Sequence, residues 1–242
     1  PTTFAGSEMT PVWGLTEDGR KRTGRDLRVL PRSVLYDPEL TLSLPPKISA
    51  ASGLNALAHA VEGLYAPDRS PIVALMAEEG VRALVGALPT VVTDGKDLPA
   101  RSAAQYGAWL CGAVLGATTM SLHHKLCHAL GGALDLPHAQ THSVVLPHAL
   151  AYNAPAATEA MAAVSRALGG VDDPARALWE VTGELGIPRS LRELGMAEAD
   201  IPRIVDLVVA EPYANPREVT AAGVHTLLDA AWCGAPPARL ER

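Results

Sequence analysis

Aromatic and charged side chains are scarce in this chain of 242 residues. Aromatic residues make up 4% of the sequence, with a single Phe, and charged residues make up 19%, whereas apolar residues reach 48%. The core must therefore be built mainly from Ala, Leu and Val, a composition that favours closely packed helices. The length is sufficient for one large domain or two small ones with a real hydrophobic core.

Three further absences exclude classes of function. The sequence has no block of basic residues and a net charge of −6, which argues against nucleic-acid binding. No apolar run reaches the roughly 18 residues that a membrane-spanning helix needs. The three cysteines are widely spaced and form no Cys-x-x-Cys pair, so neither a disulfide framework nor a cysteine zinc site is supported. We expect reduced thiols in a cytoplasmic protein.

The first 40 residues differ in pattern from the rest of the chain. Two extended runs joined by a turn at Asp18-Gly19 predict a β-hairpin, and residues 34–36 could add a short third strand. Four basic side chains fall in the hairpin region, and they either form a solvated edge or bind an anion. They are Lys21, Arg22, Arg25 and Arg28.

From Thr41 onward the apolar residues recur at helical spacing. Predicted helices cover residues 47–65, 72–88, 100–118, 174–185, 200–209 and 220–232. We expect Ser70-Pro71 to begin the second helix and Pro89 to end it. The sequence thus predicts a mostly α fold, with remnant strands in residues 1–40 and an all-helical domain in residues 41–242.

Six of the eight histidines fall within residues 119–148. His124 and His128 are spaced i,i+4 and share one face of a predicted helix. Gly131-Gly132 and Pro137 are expected to break that helix and bring His138 back toward the same face. Interleaved apolar residues indicate that the cluster is buried. The remaining histidines of the stretch are His123, His142 and His148. If the helical register is shifted by one residue, His123 takes the position assigned to His124.

Asn55 and His59 repeat the i,i+4 spacing on an earlier predicted helix. A single buried Asn or His is more often a hydrogen-bonded core residue than a functional one. Two such pairs in one chain favour a cleft lined by two helices. For His142 and His148, a structural role and a role in the site both stay open.

These segments resemble a known family. One segment is similar to the metal-ligand segment of the iron-containing (group III) alcohol dehydrogenases, which belong to the dehydroquinate synthase-like superfamily. It is the run Gly-Leu-Asn-Ala-Leu-Ala-His-Ala-Val-Glu-Gly-Leu-Tyr-Ala. Residues 124–138 are similar to the second metal motif of that family. Four segments resemble the maleylacetate reductase branch of that family. They are Pro-Thr-Thr-Phe-Ala-Gly-Ser-Glu-Met-Thr, Ser-Leu-His-His-Lys-Leu-Cys-His, Leu-Pro-His-Ala-Leu-Ala-Tyr-Asn and Asn215-Pro216-Arg217. The resemblance covers nearly the whole chain.

The resemblance implies a set of site residues. The family's aspartate and three histidine ligands fall on Asn55, His59, His124 and His138, and His128 matches a further histidine beside the reacting centre. The family segment that lies against the nicotinamide cofactor falls on Thr2, Thr3 and Gly6. Asn55 in place of the aspartate removes the only anionic ligand, so we expect no bound metal.

The activity implied is NAD(P)H-dependent reduction of the activated C=C bond of maleylacetate to 3-oxoadipate, in aromatic breakdown. His124 and His128 are predicted to be the electrophile and proton donor, with His59 and His138 completing the pocket. Asn55 and Lys125 are predicted to bind the substrate. A cationic histidine pocket would suit a dicarboxylate.

The family has two domains, and its members commonly look dimeric. This chain has no Gly-x-Gly-x-x-Gly phosphate turn, so we expect a piece of a longer homodimeric protein whose N-terminal cofactor domain is missing. Two other interpretations stay open. One is an isolated helical domain with a non-redox acid–base or assembly role, and the other is a metal-dependent alcohol dehydrogenase.

Overall fold

The computed structural model describes residues 1–17 and 20–238, which are mostly helical, as predicted. The described residues form nine α-helices, namely α1 (Pro46–Gly63), α2 (Pro71–Thr93), α3 (Leu98–Ala117), α4 (Leu122–Leu134), α5 (His138–Asn153), α6 (Thr158–Ala167), α7 (Pro174–Glu184), α8 (Ile201–Val209) and α9 (Ala221–Cys233). None of these described helices is both long and apolar enough to cross a lipid bilayer.

The predicted hairpin is present before the helices. Strands β1 (Val12–Glu17) and β2 (Arg20–Arg25) pair in antiparallel fashion, with Val12 opposite Arg25. The expected turn at Asp18-Gly19 lies outside the described residues. The third strand predicted at residues 34–36 is wrong, because that segment is extended but pairs with no strand in the described part of the chain, and Leu35 is 86% exposed.

Two of the four basic residues of the hairpin region have partners within the protein. Arg25 donates to the carbonyl of Gly116 at 2.6 Å, and Arg28 forms an ion pair with Asp26 at 2.5 Å. The side chains of Lys21 and Arg22 lie outside the described part of the structure. The contacts of Arg25 and Arg28 favour a structural role over anion binding.

Two predicted helix ends are wrong. Ser70 caps α2 as expected, accepting the N–H of Val73, but the helix passes through Pro89 and continues to Thr93. Buried residues on both sides of the proline hold the helix in place, although it lacks one backbone hydrogen bond there. Helix α4 likewise runs through its two glycines to Leu134, and the next residue, Asp135, adopts a left-handed conformation with φ of 53°. The expected break before His138 is present, but it lies after the glycines.

Two hydrophobic cores meet along α5. The first is built from α1, α2, α3, α6 and α7, and α5 contributes Leu146 and Leu150 to it. The second is built from α4, α8 and α9, and α5 contributes Val145 and Ala149. Because α5 packs on both α1 and α4, the polar residues of these three helices can meet between the two cores.

The N-terminal segment packs on the helical body. Phe4 is fully buried in the first core, and its backbone N–H donates to the Ser52 hydroxyl on α1 at 3.2 Å. Gly6 has φ of 75° and lies directly against Gly112 of α3. Glycine is required at both positions, since a β-carbon at Gly112 would overlap the Gly6 carbonyl and one at Gly6 would overlap the Ala108 carbonyl. The domain boundary near residue 40 stays a prediction.

Candidate active site

One face of α1 carries three polar side chains, Asn55, His59 and Glu62. From Ser49 to Gly63 every residue of this helix is buried. A helix surrounded by protein on all sides gives its polar groups no access to bulk water, so their partners must come from neighbouring helices. Helix α5 packs on α1, and α4 contacts α1 through Glu62.

Six imidazoles gather where α1, α4 and α5 meet. We call them the histidine cluster, which consists of His59, His123, His124, His128, His138 and His142. His124 lies at its centre, with ring centroids 5.2 Å from His59, 5.0 Å from His142 and 6.1 Å from His128. His138 joins through His142, with centroids 4.2 Å apart. The four histidines predicted for the site therefore lie within one cluster.

The cluster has a buried side and an open side. His59, His123, His124 and His142 are buried, whereas His128 and His138 are exposed. A molecule that approaches the cluster from solvent therefore meets His128 and His138 first, and the His128 ring is a neighbour of His124. His148 is buried on the same helix as His142 but belongs to another environment, beside Tyr152 and Arg217.

Glu62 is the functional candidate that the sequence analysis missed. Its carboxylate is fully buried and contacts Nδ1 of His124 at 2.5 Å. It also accepts the backbone N–H groups of Ser121 and His123, at 3.2 and 2.9 Å. A signal was present in the sequence, because Glu62 is the only acidic residue of α1 and shares the face of Asn55 and His59.

His123 and His142 are also more central than the sequence indicated. Nε2 of His123 contacts the carbonyl oxygen of His142 at 3.0 Å, which ties α4 to α5. Nδ1 of His123 lies 3.4 Å from Nδ1 of His124. Both rings therefore support His124 from the inner side of the cluster.

The buried imidazoles are neutral at pH 7. Burial, reinforced by the neighbouring histidines, lowers the pKa of His124 to about 3 and that of His123 to about 4. The same two causes hold the pKa of His59 and His142 well below the usual value. Packing these four rings together away from water penalises each positive charge, so burial disfavours the expected cationic pocket at this side of the cluster.

Several buried polar atoms of the site have no hydrogen-bond partner in the described structure. They are Oδ1 of Asn55, Nδ1 of His59, Nε2 of His124 and both ring nitrogens of His142. Buried polar atoms are nearly always paired with protein or with ordered water, so a concentration of unpaired ones indicates a place where other molecules bind. The unpaired atoms belong to three helices that meet at this one point.

The predicted cofactor segment lies near the start of the α1 polar face. Ser52, which accepts from the Phe4 backbone, is one helical turn before Asn55. Thr2 and Thr3 are exposed, and Gly6 is buried against Gly112. The structure thus holds the Thr-Thr segment to the helix that carries Asn55 and His59.

Lys125 is half-buried, and its ammonium lies 5.6 Å from the ring centroid of Tyr213. Attraction to the aromatic ring gives Lys125 a structural contact. Its assignment to the substrate stays a prediction.

The donor atoms present differ from those that a hard divalent cation prefers. At the positions implied by the family resemblance, the donor atoms are one neutral amide oxygen and three imidazole nitrogens. The nearby Glu62 carboxylate is already in hydrogen-bond contact with His124. His123, His124 and His142 form a second possible set, with ligand nitrogens within 4.8 Å of one another, and it too contains no carboxylate. A tightly held iron of the aspartate-containing type does not fit either set.

Comparisons with known proteins identify the family. Residues 49–232 match the C-terminal domain model of the Fe-containing alcohol dehydrogenase family. A maleylacetate reductase from Sphingobium indicum is 60% identical over 237 residues, which are 98% of this chain and 67% of the relative. The crystal structure of maleylacetate reductase from Rhizobium sp. strain MTP-10005 is 51% identical, with a TM-score of 0.94 over 98% of this chain and 67% of that one.

More distant structures share the fold. Sulfoacetaldehyde reductase from Bifidobacterium kashiwanohense, solved in complex with NAD+, is 27% identical, with a TM-score of 0.87 over 96% of this chain and 63% of that one.

The resemblance inferred from the histidine segments is therefore confirmed. The chain belongs to the Fe-containing alcohol dehydrogenase family, where it groups with the maleylacetate reductases, and it is an oxidoreductase.

Proposed function

We propose that this chain carries the reacting site of an NAD(P)H-dependent reductase that converts maleylacetate to 3-oxoadipate. The observation that carries the proposal is the buried histidine cluster with its unpaired nitrogens, in a chain that is 60% identical to a maleylacetate reductase. Sequence identity supports the reaction, and the cluster supplies groups that can perform it.

The reaction needs hydrogen-bond donors and a proton donor more than it needs a metal. Maleylacetate has a C=C bond conjugated to a ketone, and hydride supplied by bound NAD(P)H adds to that bond. Negative charge then develops on the ketone oxygen as an enolate, and a carbon atom must gain a proton. Imidazole N–H groups held inside a pocket can serve both needs.

The roles divide according to burial. His124 and His128 are the electrophile and proton-donor pair, one buried at the centre and the other at the open side. His59 and His138 complete the pocket walls, and Asn55 binds the substrate by donating from its amide NH2 group. Because burial disfavours positive charge on the inner rings, we assign the substrate carboxylates to the open side of the cluster and keep Lys125 as their predicted cation.

The cofactor assignment rests on the N-terminal segment. Thr2, Thr3 and Gly6 are placed against the nicotinamide, and the phosphates belong to an N-terminal domain outside this sequence. The NAD+ complex of the Bifidobacterium relative supports a nicotinamide cofactor for this fold. The working protein is proposed to be a cytoplasmic homodimer that contains both domains and no metal.

One experiment separates this function from a metal-dependent alcohol dehydrogenase. The chain is fused to the part of the Sphingobium indicum relative that it does not span, and oxidation of NADH and NADPH is followed with maleylacetate and with short aldehydes. We expect rapid oxidation with maleylacetate and little with aldehydes. A folded fusion that binds NADH but prefers aldehydes, or reduces neither compound, overturns the proposal.

A further inference from the structure

His148 lies apart from the histidine cluster and lines a cavity of its own. It is 3% exposed, and its Nε2 is buried with no partner in the described part of the chain. The cavity has a volume of about 100 Å³ and lies between the end of α5 and α9. Thr226 and Ala238 also line it and are exposed, so the cavity opens to solvent. A buried ring nitrogen needs a hydrogen-bond partner, which here must come from whatever occupies the cavity.

Arg217 supplies the cavity with a positive charge. His148 and Tyr152 are one helical turn apart on α5 and therefore share a face of that helix. The guanidinium of Arg217 lies 4.7 Å from the centroid of the Tyr152 ring. Among the described residues this guanidinium donates one hydrogen bond, from Nη1 to the Tyr152 carbonyl oxygen at 3.1 Å. Because a guanidinium has five N–H groups, others remain to donate to a ligand.

The segment that carries Arg217 is fixed to α5 on both sides. Asn153 and Asn215 exchange two amide hydrogen bonds, of 3.0 and 2.7 Å, and Nδ2 of Asn215 also donates to the Arg217 carbonyl oxygen at 2.6 Å. After Arg217, the Glu218 carbonyl oxygen accepts the Tyr152 hydroxyl at 2.6 Å. The cation is therefore held in place before a ligand binds, which lowers the ordering cost of binding.

The charge and size of the cavity define the class of ligand. No residue that lines it carries a carboxylate, so nothing in its walls balances the charge of Arg217. Ala151, Leu227 and Ala230 give the rest of the cavity an apolar surface. Its volume corresponds to roughly three water molecules. A carboxylate group with a short hydrocarbon end matches this combination of one cation, apolar walls and small volume.

We propose that this cavity binds a small monocarboxylate, with its oxygens toward the guanidinium of Arg217 and Nε2 of His148 and its carbon end toward the apolar wall. The proposal is independent of the function proposed above. A neutral imidazole donates from one nitrogen only, so the bound state has the proton of His148 on Nε2. The planar fork of a guanidinium matches a carboxylate better than it matches a spherical anion. For a ligand of about four heavy atoms we expect a dissociation constant in the millimolar range.

The alternative occupant is water, with Arg217 serving only to hold its segment on α5. Water would satisfy Nε2 of His148 but would not make the cavity respond to one kind of anion. The two occupants are therefore separated by the selectivity of binding.

Titration of this chain with sodium acetate, followed by the ring C–H NMR signals of His148, measures that selectivity. The signals are assigned by their loss in His148→Gln. We expect acetate to shift them in a saturable manner. Acetamide, which has the same shape without the charge, and sodium chloride at equal concentration should cause no saturable shift.

Three variants locate the binding. Arg217→Gln should weaken acetate binding by at least about tenfold, as expected for loss of hydrogen bonds from a charged group. Because this substitution also removes the contact with Tyr152, Ala230→Leu is the second test. It fills the cavity from α9, leaves Arg217 and His148 in place, and should abolish the shift. Arg203→Gln, at an exposed arginine of α8 outside the cavity, is the matched control and should bind acetate as the wild type does.

Three results would overturn the proposal. The first is the absence of a saturable acetate shift in the folded wild type, which is the result expected for a cavity that holds only water. The second is equal affinity for acetate and for chloride or acetamide. The third is unchanged acetate affinity in a folded Ala230→Leu, which would place the binding elsewhere.

Discussion

Gly6 and Gly112 lie in direct backbone contact, and a β-carbon at position 112 would overlap the Gly6 carbonyl group. This contact seats the N-terminal segment on α3, next to the residues assigned to the nicotinamide. We predict that Gly112→Ala lowers the free energy of unfolding by roughly 1–3 kcal/mol, because the backbones must separate. Urea unfolding of this chain measures the change.

The matched control is Gly86→Ala in α2, where an added β-carbon meets no atom within 4 Å. This exposed helical position should gain about 0.5–1 kcal/mol from the higher helix propensity of alanine. Equal effects of the two substitutions would contradict the importance of the Gly6–Gly112 contact.

Asn55→Asp should create a metal site. The substitution keeps the shape of the side chain and adds the anionic ligand that the present donor set lacks. After exhaustive chelation, isothermal titration with Zn²⁺ should show at least about tenfold tighter binding than in the wild type. His59→Gln added to Asn55→Asp should cancel the gain. Unchanged affinity in Asn55→Asp, or wild-type binding that is already as tight, would show that the amide does not prevent metal binding.

His148 should make the fold sensitive to acid. Burial lowers the pKa of His148 from 6.5 to about 4. Between these pH values the unfolded chain binds a proton that the folded protein does not, so stability rises with pH and is lost as the pH falls from 6.5 toward 4. One such histidine contributes a slope of about 1.4 kcal/mol per pH unit.

Denaturant unfolding of the wild type and of His148→Leu between pH 7 and pH 4.5 measures that contribution. We expect the slope of unfolding free energy against pH to decrease by about one proton in the variant. His225→Gln, at an exposed position of α9, is the control for loss of a histidine. Parallel slopes in the wild type and His148→Leu would show that His148 is accessible to protons in the folded protein.

Local patterns predicted most of the fold. Apolar residues at helical spacing marked α1 to α3 and α7 to α9, and the Ser70 cap was found by its side chain and the following proline. The two errors in helix ends have one cause. Pro89 and the glycines of α4 disfavour a helix locally, but packing against neighbouring helices outweighs that preference.

The candidate site was predictable where it depends on spacing along one helix. Asn55 with His59, and His124 with His128, follow directly from the helical repeat. Glu62 was missed because a lone carboxylate in a helix usually faces water, and its burial depends on where α4 begins. The neutral state of the histidines could not be foreseen either, since it depends on how closely the rings pack in three dimensions.

The central claim is that a histidine cluster, and no metal, assists the transfer of hydride from NAD(P)H to the substrate. It is tested most directly by maleylacetate-dependent NADH oxidation in the fused protein after exhaustive chelation, comparing the wild type with His124→Gln. We predict that activity survives chelation and falls by about 100-fold or more in the variant, as expected for loss of a proton-transfer group. Activity that disappears on chelation and returns with Fe²⁺ or Zn²⁺, or that is unchanged in His124→Gln, would contradict the account.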